Sequence, residues 1–331
     1  MPGEMQVTGV RDEQRAGRHG QSWRGSDGAH RCLLRGARLK ERALSAAHRA
    51  EPVDPGRPSR TALGAAAHRA AHQVLEHGRI LEDPLALRIL GPHAEEAMRR
   101  ARSEGSRRGL RLFIAARSRF AEDSLQIAVE RGVRQLVVLG AGLDTLAYRS
   151  PLAGRLRMFE VDHPATQAWK RERLAAADIA IPPSLTFAPI DFERKTLAAG
   201  LAGAGFDPQQ PTFFTWLGVV PYLSEAAVFS TLGFIAGLVN GAHVVFDYAN
   251  PRESLAVRAR AAHDALATRV AAAGEALRTS FETELLHARL RALGFQELED
   301  LGPPQIAVRL VSQPAESASE RGGHLIRASI A

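Results

Sequence analysis

An apolar run, Leu136-Val137-Val138-Leu139, breaks into Gly140-Ala141-Gly142-Leu143-Asp144-Thr145. A second run, Phe159-Glu160-Val161-Asp162, follows at a short interval and ends in a carboxylate. Few folds use that pattern. A buried strand feeding a small-residue turn, then a second strand tipped by an acid, is how an open α/β sheet builds a nucleotide-binding crevice. Glycine lets the backbone come close to a ligand. The carboxylate accepts hydrogen bonds from ribose hydroxyls.

The rest of the chain repeats the alternation. Strands are predicted over 135–139, 158–161, 185–188, 212–217 and 243–248, with helices over 164–176, 197–204 and 224–238 between them. Such alternation implies a mostly parallel sheet with helices on both faces. Upstream, Ser59 predicts the N-cap of a helix over 59–75. Pro84, after Asp83, predicts another helix with proline at its first position. Leu112, Phe113, Ala116, Phe120, Leu125 and Ala128 recur at helical spacing over 112–129. These helices form a predicted cap, residues 58–130, on a sheet domain, residues 131–331. Two helices near 253–272 and 280–293 read as a lid or wall around the substrate pocket, with core packing alone as the alternative. The segments 295–301 and 305–330 read as a closing antiparallel pair.

Composition narrows the function classes. The formal charge is +7, but residues 1–57 hold eleven Lys/Arg against seven Asp/Glu, so more than half of the excess lies there. That stretch, rich in Gly, Arg, Ser and His, reads as a disordered basic extension. Lysine occurs only at 40, 170 and 195, so the arginine excess reflects coding bias, and no nucleic-acid partner is expected. Cys32 is the one cysteine, which fits a cytoplasmic protein without disulfides. No apolar run reaches the ~18–20 residues of a membrane span. His68 and His72 have metal-ligand spacing, but Arg69 follows His68 and no third ligand is apparent, so no metal is expected.

The glycine turn distinguishes among ligands. A dinucleotide fingerprint needs a third small residue where this chain has Thr145, and the Asp144 carboxylate would repel a pyrophosphate. S-adenosylmethionine carries a sulfonium and no phosphate, so it tolerates that acid. Asp162 stands where a ribose acceptor belongs. Asp191, followed by Phe192 after the third strand, could accept from an adenine amino group with the ring against its face. On these residues alone, a dinucleotide or a turn that binds nothing remains an alternative.

Gly140-Ala141-Gly142-Leu143-Asp144-Thr145-Leu146-Ala147-Tyr148-Arg149, then Glu160-Val161-Asp162-His163-Pro164 with Gln167 and Lys170, resemble the leucine carboxyl methyltransferase family, in its bacterial branch of S-adenosyl-L-methionine-dependent methyltransferases. Ser59-Arg60-Thr61-Ala62, Asp83-Pro84, Ala116-Arg117-Ser118-Arg119-Phe120, Asp191-Phe192 and Trp216-Leu217-Gly218-Val219-Val220-Pro221-Tyr222-Leu223 extend the match over residues 57–330. The resemblance implies a class I methyltransferase fold, Rossmann-like, with a mostly parallel seven-stranded sheet and one antiparallel strand near its edge. It places Gly140 and Gly142 under the methionine part of S-adenosyl-L-methionine, Asp162 at the ribose, and Asp191 with Phe192 at the adenine; Ala141 and Asp144 are further cofactor-binding candidates. Arg117 matches the arginine that grips the cofactor carboxylate, and Arg69 is a second candidate. Tyr222 is a candidate contact to cofactor or substrate. One departure stands out: many relatives have Glu-Gly where this chain has Leu217-Gly218. The implied activity is methyl transfer to an oxygen, carboxylate or hydroxyl, of a small acceptor. No sequence feature reports the oligomeric state, and a monomer is the default expectation. The alternatives are an NAD(P)-dependent oxidoreductase and a cofactor-binding homologue without turnover.

Overall fold

Residues 59–103, 105–191 and 196–330 are described in a computed structural model. The basic stretch 1–57, with Cys32, and Phe192 lie outside them. Helix α1, Arg60–Leu75, begins as predicted: the Ser59 hydroxyl accepts the Ala62 amide at 3.1 Å. Its alanines at 66, 70 and 71 are fully buried, so neighbours can approach closely.

The second helix starts later than the sequence suggests. Pro84 lies in a turn, where the Asp83 carboxylate accepts the Leu85 amide at 3.1 Å, and α2 runs from Ala86 to Leu90. The turn draws its hydrogen bonds from the Leu85 and Ala86 amides, so the N–H that proline lacks is not needed and its ring suits the bend. Helix α3, Ala94–Ser103, was not predicted. Met98 is its one buried residue, and Ala94, Ala97 and Ala101 share its face, so the apolar side of the helix is made mostly of alanine. Helix α4 spans Arg108–Glu130, extending the predicted segment one turn upstream.

The alternating region follows: β1 Gln135–Leu139, a single turn α5 Leu146–Arg149, β2 Arg157–Asp162, α6 Pro164–Ala176, β3 Leu185–Pro189, α7 Leu197–Gly203, β4 Thr212–Trp216, α8 Glu225–Ala236 and β5 Ala242–Ala249. Helices α9, Val257–Ala272, and α10, Thr283–Ala292, are shorter than predicted; before α9, 252–254 form a separate 3-10 turn. Strand β6 is Glu297–Leu301 and β7 is Gly323–Ile330. Gln305, predicted within a strand, lies in α11, Pro303–Arg309; Pro303 and Pro304 cannot supply ladder hydrogen bonds but fit a helix start.

The sheet order is β3-β2-β1-β4-β5-β7-β6, with β1 to β5 parallel and β7 running antiparallel to both β5 and β6. Strand β1 is buried on both faces. Leu136 and Val138 pack with Phe120 and Leu125 of α4, while Val137 and Leu139 pack with Phe159, Trp216, Leu232 and Ile235. Each such large side chain contributes about 1.5–3 kcal/mol by leaving water. A third cluster joins Ala66 and Ala70 of α1, Ile89 and Leu90 of α2, and Leu174 of α6. The predicted cap therefore rests on the helix that follows β2, beside the carboxyl ends of the strands.

Candidate ligand crevice

The turn after β1 folds back on β2. The Gly140 and Ala141 amides donate to the Val161 carbonyl at 2.8 and 3.1 Å, and the Asp144 amide donates to Ala141 O at 2.7 Å. Gly140 and Gly142 have φ of +64° and +43°, the left-handed region that favours glycine. The Gly142 amide donates to Asp162 Oδ2 at 2.5 Å, and the His163 amide donates to Oδ1 at 2.7 Å. Burial raises the Asp162 carboxyl above its ordinary value, and those two amides oppose the rise. His163 then caps α6, its Nδ1 accepting the Ala165 amide at 3.3 Å.

Asp144 serves the turn itself. Its Oδ1 accepts the Leu146 amide at 2.7 Å and starts α5. Burial alone would raise its carboxyl, but the charges of Arg69 and Lys170 and the Leu146 amide hold it below the usual range. The turn therefore carries an ionised acid. Thr145, in the third position, is fully buried and donates to Asp83 Oδ2 at 2.6 Å.

Arg69 reaches the turn from α1. Its Nη2 donates to Leu143 O at 2.5 Å, and its Nε lies 3.5 Å from Asp83 Oδ2. Arg149 approaches the other oxygen of Asp83 and pairs with Glu122. Behind β2, the buried Lys170 donates to Glu160 Oε1 at 2.7 Å, Tyr148 donates to Oε2 at 3.0 Å, and the ammonium lies 5.2 Å from the Tyr148 ring centre.

Arg117 lies on the other side, at the tips of β4 and β5. Its Nη1 donates to Asp247 Oδ2 at 3.1 Å, while Asp247 Oδ1 accepts the Gly218 amide at 2.5 Å. A Cβ on Gly218, whose φ is +72°, would stand 2.5 Å from Arg117 Nη2. Asp247 was not anticipated, although an acid inside the buried run Val244-Val245-Phe246-Asp247-Tyr248 is a signal. It places a carboxylate beside Gly218, next to Leu217. Tyr222 sits in a 3-10 turn over 220–222, and burial pushes its phenol up to about 12. Asp191 follows the tip of β3, next to Ile190, whose amide donates to Asp162 O at 2.9 Å.

His68 and His72 do not converge on a metal centre. His72 Nδ1 lies 3.4 Å from Glu76, and its Nε2 accepts the Ile80 amide at 3.3 Å. Among the described residues no group of three or more His, Cys, Asp or Glu could hold a metal ion, and no helix is long and apolar enough to cross a membrane.

A seven-stranded sheet in this order, with its antiparallel β7 and a glycine turn at the tip of β1, defines the class I methyltransferase fold. Solved structures agree. A putative methyltransferase from Thermobifida fusca matches with a TM-score of 0.54 at 18% identity, covering 84% of this chain and 97% of that one. A DUF574 family protein from Streptomyces avermitilis matches with a TM-score of 0.51 at 17% identity, covering 80% and 97%. A sequence profile described as "Leucine carboxyl methyltransferase" matches residues 62–236, and the chain belongs to that family. A Bacillus subtilis relative named "Putative S-adenosyl-L-methionine-dependent methyltransferase YktD" is 35% identical over 195 residues, covering 58% of this chain and 63% of the relative. A Frankia alni relative with the same description is 34% identical over 197 residues, covering 56% and 66%. The chain thus spans less than two-thirds of the length of these two relatives.

Proposed function

We propose that the crevice at the tips of β1, β2 and β4 binds S-adenosyl-L-methionine and that the protein methylates an oxygen of a small acceptor. The observation that carries this reading is the Gly142–Asp162 junction, in a chain of the leucine carboxyl methyltransferase family. The residues fit such a ligand. Positive-φ glycines line the turn, an ionised acid beside it suits a sulfonium, and a buried carboxylate ends β2. Asp162 would hold the ribose, Asp191 and Phe192 the adenine, and Arg117, braced by Asp247, the carboxylate. Gly140, Ala141 and Asp144 shape the turn, and Arg69 supports it through the Leu143 carbonyl.

When bound, the cofactor supplies an electrophilic methyl group on sulfur. The protein's part in such a displacement is alignment. A carboxylate acceptor is already ionised near neutral pH and needs no base. Tyr222, kept protonated by burial, suits a role as hydrogen-bond donor that orients the acceptor. A dinucleotide fits less well: Thr145 is committed to Asp83, Asp144 is anionic, and β7 runs antiparallel within the sheet.

Leu217 favours a second reading, a cofactor-binding protein without turnover. Calorimetric titration with S-adenosyl-L-methionine, S-adenosylhomocysteine and NADH tests the ligand class. Micromolar binding of the first two supports the proposal, and binding of NADH alone overturns it. A radiolabelled-methyl screen of small carboxylic acids and alcohols then separates enzyme from non-enzyme.

A further inference from the structure

The loop after α9 joins three elements above the glycine turn. Glu275 Oε2 accepts from the Ser59 hydroxyl at 3.0 Å and from the Thr61 hydroxyl, while Oε1 accepts the Arg60 amide at 2.8 Å and the Thr61 amide at 3.3 Å. Three residues on, the Arg278 and Thr279 amides donate to Pro221 O at 2.7 and 3.3 Å, and the Thr279 hydroxyl donates to Leu223 O. Tyr222 lies between Pro221 and Leu223, the two residues whose carbonyls take these hydrogen bonds.

Beneath this junction lies the crevice. A Cβ on Gly142 would stand 2.9 Å from Ala62 Cβ, and one on Gly140 would stand 2.3 Å from Val219 Cγ2. The first turn of α1 and the segment after β4 therefore cover the two glycines. The Ser59 amide also donates to Thr166 of α6 at 3.2 Å, which seats the start of α1 on the crevice rim. Ser59 already caps α1 through the Ala62 amide, so Glu275 is not needed simply to begin the helix. It brings an anion to the positive end of α1 from a loop more than 200 residues away in sequence.

We propose that Glu275 is a positioning residue: it clasps the first turn of α1 over the glycine turn and thereby sets how fast the crevice exchanges its ligand. This inference rests on the crevice binding an adenosyl ligand, as proposed above. Loss of the clasp frees the start of α1 to lift, so entry and release both quicken. The four hydrogen bonds to one carboxylate are charge-assisted and stronger than neutral ones.

The test is stopped-flow exchange of S-adenosylhomocysteine with the full chain, its Glu275→Ala and Glu275→Gln variants, and Arg252→Gln as a control. Arg252→Gln breaks the pair of Arg252 with Asp264 on α9, away from the clasp. Release should rise about tenfold in Glu275→Ala, equivalent to about 1.4 kcal/mol, with faster entry and Tm within a few degrees of the parent. Glu275→Gln should fall between, because its carbonyl still accepts the two amides. The control should match the parent. Release at the parent's rate in Glu275→Ala overturns the clasp. If that variant does not fold, Thr61→Val, which deletes one donor to Glu275, carries the same comparison. No binding by the parent chain overturns the reading beneath the inference, whereas binding with unchanged release overturns the clasp alone.

Discussion

The Asp162 carboxylate takes the Gly142 amide hydrogen at 2.5 Å and so fastens the tip of β2 to the turn after β1. The same side chain is the candidate ribose acceptor, which makes the fastening part of the crevice. Asp162→Ala should leave the Gly142 and His163 amides without that acceptor, at about 1–3 kcal/mol of stability. It should also weaken S-adenosylhomocysteine binding more than tenfold. Urea unfolding and calorimetry check the two effects separately; unchanged affinity would remove Asp162 from the site.

Gly218→Ala should act on Arg117. The new methyl would meet the guanidinium at 2.5 Å, on a backbone whose φ of +72° already disfavours a side chain. The expected result is a stability loss of about 1 kcal/mol or more and at least tenfold weaker binding of S-adenosylhomocysteine. Methionine-free adenosine should lose much less, since Arg117 is assigned to the carboxylate. An equal loss for both ligands would contradict that assignment.

Glu160 and Lys170 are each 1% exposed. Burial pushes the Glu160 carboxyl up, while the Lys170 ammonium and the Tyr148 hydroxyl oppose that rise. Lys170→Met leaves a buried carboxylate without its cation and should cost about 3–5 kcal/mol. Adding Glu160→Gln should restore most of the loss. A double variant as unstable as the single one would show that packing, not charge, is responsible.

His68 gives a pH dependence. Burial, then the charges of Arg107, Arg111, Arg117 and Arg269, lower its imidazole to about 4, against 6.5 ordinarily. These cations face it from α4, from the residue just before α4, and from α9. The unfolded chain binds a proton below pH 6.5 that the folded chain refuses until about pH 4. The stability tied to neutral His68 is therefore complete above pH 6.5 and is lost as pH falls toward 4, by about 1–3 kcal/mol. The urea midpoint should fall over that window, and less so in His68→Gln. An NMR titration placing His68 near 6.5 would contradict the prediction.

Most strands were legible because β1, β2, β4 and β5 are buried on both faces and read as apolar runs between turn residues. Helix α3 was not, since its buried face is three alanines and Met98 set among charged residues, a narrow stripe of small side chains. Helix α11 was hidden by reading Gln305 onward as strand, although Pro303-Pro304 marks a helix start. The glycine turn and Asp162 announced themselves by local spacing. Asp83, Asp247 and Glu275 did not, because each acts through a distant partner: Thr145, Arg117 and the first turn of α1. Local pattern reveals the floor of the crevice, whereas its braces and cover exist only once the chain has folded.

Strand β7 comes last of the seven in chain order, yet it lies inside the sheet between β5 and β6. During synthesis, at about 5–20 residues per second, β5 must wait with an open edge until residues 323–330 leave the ribosome. Until then its Val244, Val245 and Phe246 backbone is a template for any passing strand. Truncations just upstream of residue 323 should therefore yield aggregates rather than a smaller folded protein, and chaperone demand should be greatest late in translation.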